Sequence, residues 1–294
     1  RYNGFVPHWP ALASPERLPE LKTLMDRDFS TAGRELQRIG KSAYWAGKGL
    51  QRTMRLAELF EQHGDNARRD RLLDLLKKRA EDWLGGNSDR GYVQVDKDMG
   101  VVSIYPDEFF AVGEINDHHF WYGYFIRTAA EVALRDPAWI AKDRWGGMIE
   151  LLIADIATTE RGRADFPFLR NWDAYEAHTW ANGIGAGEFG NNNESSSEAI
   201  NAWAGLILWG EVTGNKALRD LGVYLYTNEI EAINHYWFNI HGLVFAPEYK
   251  NAEVSQVFGG MYRHDTWWID DPRQIKGINL LPVTTAHTYM GRDP

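Results

Sequence analysis

Two stretches of this 294-residue chain place carboxyl groups directly before apolar runs of helical character. In "FGNNNESSSEAINAWAGLILWG", from Phe189 to Gly210, Glu194 and Glu198 lie four residues apart. Ser195 and Glu198 fit a capping box, in which a hydroxyl and a carboxylate each satisfy a free backbone N–H at a helix start. That pattern accounts for Glu198 by itself and leaves Glu194 without a structural duty. Two carboxylates at this spacing on a helix repel each other, so a chain that keeps both either exposes them to water or uses at least one.

The second stretch is "NDHHFWYGYFIRTAAEVALRD", where Asn116 or Asp117 can cap the helix that follows. A plain cap does not need His118, His119, Trp121, Tyr122 and Tyr124 around its first two turns. A carboxyl packed among aromatic rings has its charged form disfavoured, so it holds a proton near neutrality, as a general acid must. A third stretch, "NWDAYEAHTWANGIGAGEFG", sets Trp172, Asp173, Tyr175, Glu176, His178 and Trp180 close together ahead of a glycine-rich tail, as in a loop lining a polar cleft.

Other chemistries fare worse. "GIGAGEFG" lacks the Lys-Ser/Thr and the preceding strand of a phosphate cradle, and neither H-E-x-x-H nor G-x-S-x-G occurs. His118 and His119 are adjacent and point to different sides of a helix. With no cysteine in the chain, thiolate nucleophiles and most structural zinc sites are excluded. No metal and no cofactor is expected. A pair of carboxyls on helix-starting loops, in aromatic surroundings, remains.

These groups must be positioned by helices. One is expected from about Tyr44 to His63, stopped by Gly64, and a second after Asp65 through "NARRDRLLDLLKKRAEDWL", ended by Gly85 and Gly86. Asp136 and Pro137 read as an N-cap and first-turn pair opening a helix over "AWIAKDRWGGMIELLIADIATTE". Gly214 and Asn215 separate two more. Short links between long amphipathic helices force antiparallel hairpins. "RGYVQVDKDMGVVSIYP" reads as a small β-hairpin, and "NIHGLVFAPEYKNAEVSQVFGGMYRHDTWW" as a strand-and-loop excursion. The expected class is all-α: helix hairpins arranged as an α/α barrel, with the elaborate loops on one face.

Composition bounds the partner. Apolar residues at 44% and charged residues at 25% describe an ordinary folded chain. A formal charge of -9 argues against nucleic acid or an anionic membrane as partner. No apolar run reaches the length of a membrane span, and "RYNGFVPHWP" is not a signal peptide. Thirteen Trp, 13 Tyr and 13 Phe offer flat faces that suit sugar rings as well as cores.

At these residues the sequence resembles glycoside hydrolase family 81, the endo-β-1,3-glucanases. "DHHFWYGYF" from Asp117, "WDAYEAHTWA" from Trp172 and "NNESSSEA" from Asn192 match three family runs in order. Weaker similarity covers "YNGFVPHWPAL", "YWAGKGLQRTMRLAEL" and "INLLPVTTAHTYMG". The resemblance implies an (α/α)6 barrel over 1–294, hydrolysis of internal β-1,3-glucosidic bonds with inversion, and a secreted protein. It makes Asp117 the general acid and draws the base from Glu194 or Glu198, with Glu194 favoured because the capping box already explains Glu198. His119, Tyr122, Trp172, Asp173, His178 and Trp180 would line the glucan groove, with Asn192, Asp96 and Trp45 added to that set.

Trp121 stands where the family usually has His. About eight helices are read here, short of the twelve of a six-hairpin barrel. Family members usually carry a β-sandwich before the barrel and further helices after it, so a piece of a longer protein is expected. The rival readings are a catalytically silent glucan-binding barrel and a polysaccharide lyase, the latter wanting cationic groups for a uronate.

Overall fold

The computed structural model describes residues 4, 6–11, 14–38, 41–86, 91–185 and 187–291. Tyr2, Asn3, Phe5 and Leu12 of the family-like opening run, Arg90 before the hairpin and Ala186 of the glycine-rich tail lie outside them. Among the described residues there are eight α-helices: α1 (Leu18–Arg38), α2 (Ala43–Gln62), α3 (Asn66–Leu84), α4 (His118–Ala133), α5 (Gly147–Ile156), α6 (Ser196–Thr213), α7 (Lys216–Tyr236) and α8 (Pro272–Gly277). Strands β1 (Tyr92–Asp96) and β2 (Val101–Tyr105) form an antiparallel hairpin; β3 (Trp172–Asp173) pairs with β4 (His178–Thr179); β5 (Asn192–Asn193), β6 (Gln256–Phe258) and β7 (Tyr262–Arg263) make a small three-stranded sheet. The chain is thus mostly helical.

Local chemistry sets several of these boundaries. Ser42, Asp65 and Asn215 each accept a backbone N–H at the start of α2, α3 and α7, and Gly214, at φ 71°, ends α6 in the left-handed region open to glycine. Helix α1, not singled out above, is the most sharply amphipathic of the longer helices, with an apolar stripe whose buried members include Met25, Ala32 and Leu36.

One boundary differs from expectation. Asp136 and Pro137 do not open a long helix: residues 137–140 form turns, Lys142–Gly146 is a π-turn with Arg144 at φ -113° and ψ -120°, and α5 begins only at Gly147. Gly146 permits that break, since a Cβ there would lie 2.0 Å from the Ile140 carbonyl oxygen, and the Asp136 carboxylate bonds the Ala138 and Trp139 N–H groups of the short turn and pairs with Lys77 of α3.

Helices α2, α4 and α6 run parallel at the centre. Their N-terminal turns meet at Tyr44, Glu198 and, in the second turn of α4, Tyr124; further along, Gln51 and Asn201 exchange two hydrogen bonds, of 3.0 and 2.9 Å; further still, Arg55 pairs with Glu131. Every residue of α4 is buried, as are residues 196–210 of α6, which is why neither shows a sharp amphipathic stripe. Small residues permit the close approach. A Cβ on Gly123 would lie 2.8 Å from Ala202, and one on Gly47 would lie 2.9 Å from the Cβ of Tyr124. The ends of α2 and α4 that meet are N-termini, as is that of α6, so the positive poles of three helix dipoles gather where the carboxyl groups are.

Candidate active site

The three family-like stretches, far apart in sequence, converge on one residue. The Asp117 N–H donates to the Ala181 carbonyl at 2.8 Å, Asn171 Nδ2 donates to the same oxygen at 3.2 Å, and the Ala181 N–H donates to Asn192 O at 2.6 Å. Asn193 Nδ2 donates to Thr179 O at 2.6 Å, and Asn193 Oδ1 accepts the Ser195 N–H at 3.1 Å, which fixes the turn carrying Glu194. The loop before α4, the β3–β4 segment and the loop before α6 are therefore one hydrogen-bonded unit.

Asp117 occupies the N-cap position of α4 but does not cap it. Its backbone is left-handed, at φ 61° and ψ 15°, and its side chain makes no cap hydrogen bond. Phe109, Phe110 and Ile115 in the preceding loop also have positive φ, and for a β-branched residue such as Ile115 that is a strained conformation. The strain turns the carboxyl away from the helix. It is buried with Oδ1 lacking a hydrogen-bond partner, and it is held well above the usual carboxyl range, first by burial and then by the charges of Glu194 and Glu198.

Glu198 does not join a capping box. Ser195 Oγ donates to Glu198 Oε2 at 2.6 Å and accepts no backbone N–H of α6. The exposed N–H at the start of α6 is satisfied from elsewhere in the chain: Asn279 Oδ1 accepts Ser196 N–H at 3.0 Å and Ser196 Oγ at 2.9 Å. Glu198 also accepts the Tyr124 hydroxyl at 2.5 Å and that of Tyr44 at 3.0 Å, and Lys48 Nζ lies 3.3 Å away. The structure thus removes the reason that set Glu198 aside.

Glu194 is the more loosely held of the two. It is partly exposed, and its Oε2 accepts one long bond, 3.4 Å, from Gln256 Nε2 of β6. Its carboxyl is pushed up to about 7, by burial first and then by the charge of Glu198, with the Gln256 bond opposing.

The remaining expected residues divide. Trp45 is 52% exposed, next to Tyr44 and Lys48. Trp172, Asp173, Trp180 and Asn192 are partly exposed. Asp173 organises its own hairpin, accepting the Tyr175 and Glu176 N–H groups and Trp180 Nε1, and the Asn192 side-chain oxygen has no partner.

His119, Tyr122 and His178 are not on a groove: they are buried, at 2%, 1% and 1% exposure. Tyr122 donates its hydroxyl to Val102 O of β2; His178 is packed among Trp180, Tyr236 and Trp237, with Nδ1 on Thr179 O; His119 stacks against Trp203. His119 and Tyr122 lie on α4, which is buried on all sides, and His178 lies in β4, packed against the end of α7. Asp96 is also placed otherwise, accepting the Asp98 and Met99 N–H groups in the turn of the β1–β2 hairpin. Trp121 is buried against Tyr44 and Phe109.

Tyr44, Lys48, Tyr124 and Gln256 touch the carboxyls without having been singled out for that duty. Tyr44 and Lys48 show the i, i+4 spacing of one helix face, but nothing in sequence says which face meets Glu198.

Two open pockets lie in this part of the molecule, and none of Asp117, Glu194 and Glu198 lines either: one, of about 710 Å³, runs between α1 and α2 past Trp45 and Lys48, and a second, of about 430 Å³, is bounded by Tyr236, Val257, Phe258 and Tyr262. A proton-holding carboxyl biased by two further carboxyls is the equipment that acid–base chemistry needs.

Comparison with known proteins makes this specific. Residues 13–293 match the model of the glycosyl hydrolase family 81 C-terminal domain. The chain is 42% identical to a glucan endo-1,3-beta-D-glucosidase of Acetivibrio thermocellus, over 100% of this chain and 38% of the relative. It is 37% identical to one of Thermobifida fusca, over 99% of this chain and 38% of the relative. A solved glycoside hydrolase family 81 structure from Clostridium thermocellum superposes with a TM-score of 0.91 at 42% identity, covering 100% of this chain and 41% of that one. The chain belongs to glycoside hydrolase family 81, and it spans about two fifths of the length of these relatives.

Proposed function

We propose that the protein is an endo-acting β-1,3-glucanase that cleaves with inversion, Asp117 serving as general acid and Glu194 as general base. One observation carries the reading: of three carboxyls sharing a site, Asp117 is driven to keep its proton, Glu194 is poised near neutrality with room to accept one, and Glu198 is saturated with donors. An acid must enter the reaction protonated and a base ionised, and this environment separates the two roles. Glu194 rather than Glu198 is the base because a water needs a free carboxylate oxygen to give its proton to.

In the reaction, Asp117 Oδ1 protonates the glycosidic oxygen while Glu194 takes a proton from water attacking the opposite face of the sugar. Exposed Trp45 and the partly exposed Trp172 and Trp180 supply ring faces for successive glucose units. The alternation of central helices α2, α4 and α6 with returning helices α3 and α5 supports an (α/α)6 barrel, to which these residues would contribute half of the inner ring. A polymeric substrate fits work outside the cell. A silent glucan-binding barrel would not need this separation of proton affinities, and a lyase would want a cation facing the substrate acid, whereas the Lys48 ammonium is paired with Glu198.

The deciding experiment is digestion of linear β-1,3-glucan by the intact protein with the anomeric signal of fresh product followed by NMR. An α-anomer appearing first supports the proposal; a β-anomer first would replace it with a retaining mechanism. No release of reducing ends would favour a binding protein.

A further inference from the structure

Lys48 lies one turn along α2 from Tyr44, with its ammonium 4.2 Å from the Tyr44 ring centroid, 5.3 Å from that of Trp45 and 5.9 Å from that of Tyr124. Its Nζ is 3.3 Å from Glu198 Oε1, and the side chain is only 31% exposed. Three aromatic faces thus hold a cation against one particular carboxylate. Neither Asp117 nor Glu194 is given a cation at ion-pair distance among the described contacts.

We propose that Lys48 is a positioning residue that keeps Glu198 ionised, so that the single proton of the carboxyl cluster resides on Asp117. This rests on the acid–base reading of the site. With Asp117, Glu194 and Glu198 facing one another, one bound proton can be shared among three oxygen acids, and only the arrangement with Asp117 protonated and Glu194 free is productive.

The groups that face Glu198 are Tyr44 and Lys48 from α2, Tyr124 and Asp117 from α4 and its N-cap, and Glu194 and Ser195 from the turn before α6. Both tyrosines are held neutral, their ionisation pushed up by burial and by the charge of Glu198. Lys48 is therefore the one positive group in that set among the described residues, and its ammonium lies against the Glu198 carboxylate alone of the three. A bound glucan that displaces water strengthens this bias, since charges act more strongly where solvent is excluded.

The test compares wild type, Lys48→Met and Lys48→Arg in the intact protein. Side-chain ¹³C NMR of Glu-labelled protein follows the titration of Glu198, whose signal is identified by its loss in Glu198→Gln. The expected result is a Glu198 midpoint about one pH unit or more higher in Lys48→Met and little changed in Lys48→Arg, since an opposite charge at this range shifts a carboxyl by that order.

The kcat/KM profile on β-1,3-glucan should move to higher pH on both limbs with a lower maximum, because removing a cation raises the proton affinity of the whole cluster. A Glu198 midpoint unmoved in Lys48→Met overturns the proposal. So does a raised KM with an unshifted profile, which would make Lys48 a direct glucan contact. Should the wild type fail to cleave glucan, the proposed function falls, while the NMR titration still decides whether Lys48 holds Glu198 ionised.

Discussion

At the scale of single residues, the site works because three like groups are treated differently by their surroundings. Burial acts on Asp117 without a compensating hydrogen bond to Oδ1, whereas Glu198 receives three hydroxyls and an ammonium. Asp117→Asn should lower turnover of laminarin-type glucan by a factor on the order of 10²–10⁴ while leaving oligosaccharide binding nearly intact. Unchanged turnover would remove Asp117 from the mechanism. Because Glu194 must be ionised to act and is pushed up to about 7, kcat/KM should rise with pH through about 7 in the wild type. A flat profile across that range would count against Glu194 as base. The sequence displays these carboxyls but not their environments, since a four-residue spacing is shared by a cap, a repelling pair and a catalytic cluster.

At the scale of elements, the N-terminus of α6 carries both Glu194 and Glu198, and its stability comes from a residue 83 positions away. Asn279 accepts from Ser196, and its Nδ2 donates to Val254 O at 3.2 Å and Ser255 O at 3.0 Å, tying α6 to the segment leading into β6. Asn279→Ala leaves buried donors and acceptors unpaired and should destabilise the protein by about 1–3 kcal/mol, read from the midpoint of urea unfolding. An unshifted midpoint would show that the turn before α6 is held by its other bonds alone.

The capping box was the plausible local reading of S-x-x-E, and it failed because the Ser195 N–H goes to Asn193 Oδ1, the Glu198 N–H goes to the Ser195 carbonyl, and the Ser195 hydroxyl and the Glu198 carboxylate bond each other. The expected helix from Asp136 failed at a different point, since the backbone is non-helical at Ala141 and Arg144, whereas Gly146 and Gly147 are themselves helical. By contrast, the limits of α2 and α3 and the start of α7 were legible, because Ser42, Asp65 and Asn215 act on backbone groups only three residues away.

At the scale of the whole molecule, keeping acid chemistry in the interior has a cost in stability. Glu194 and Glu229 are pushed up to about 7 and Glu58 to about 8, in each case by burial first. An unfolded chain releases these protons near the ordinary carboxyl value, about 4.3. Between that value and the raised ones the folded state binds more protons than the unfolded state, so the stability they contribute is present at low pH and is lost as pH rises. The unfolding free energy should therefore be smaller at about pH 8 than at about pH 5. Glu194→Gln should lessen that fall by about 1 kcal/mol or more. Urea titrations at the two values test this, and a fall of equal size in the variant would show that Glu194 takes no part.

The sequence by itself determined the helical class, the small hairpin, the limits of the well-capped helices and the identity of the three carboxyls, all of which follow from interactions among near neighbours or from motifs that survive as strings. Only the tertiary structure decided that Ala181 knots three distant stretches together, that Asp117 is turned out of its helix, that Tyr44, Tyr124 and Lys48 claim Glu198, and that His119, Tyr122 and His178 lie inside rather than on a groove. The physical reason is range. Capping and periodicity act over a few residues, whereas proton affinity depends on burial and on charges that only folding brings within a few ångströms.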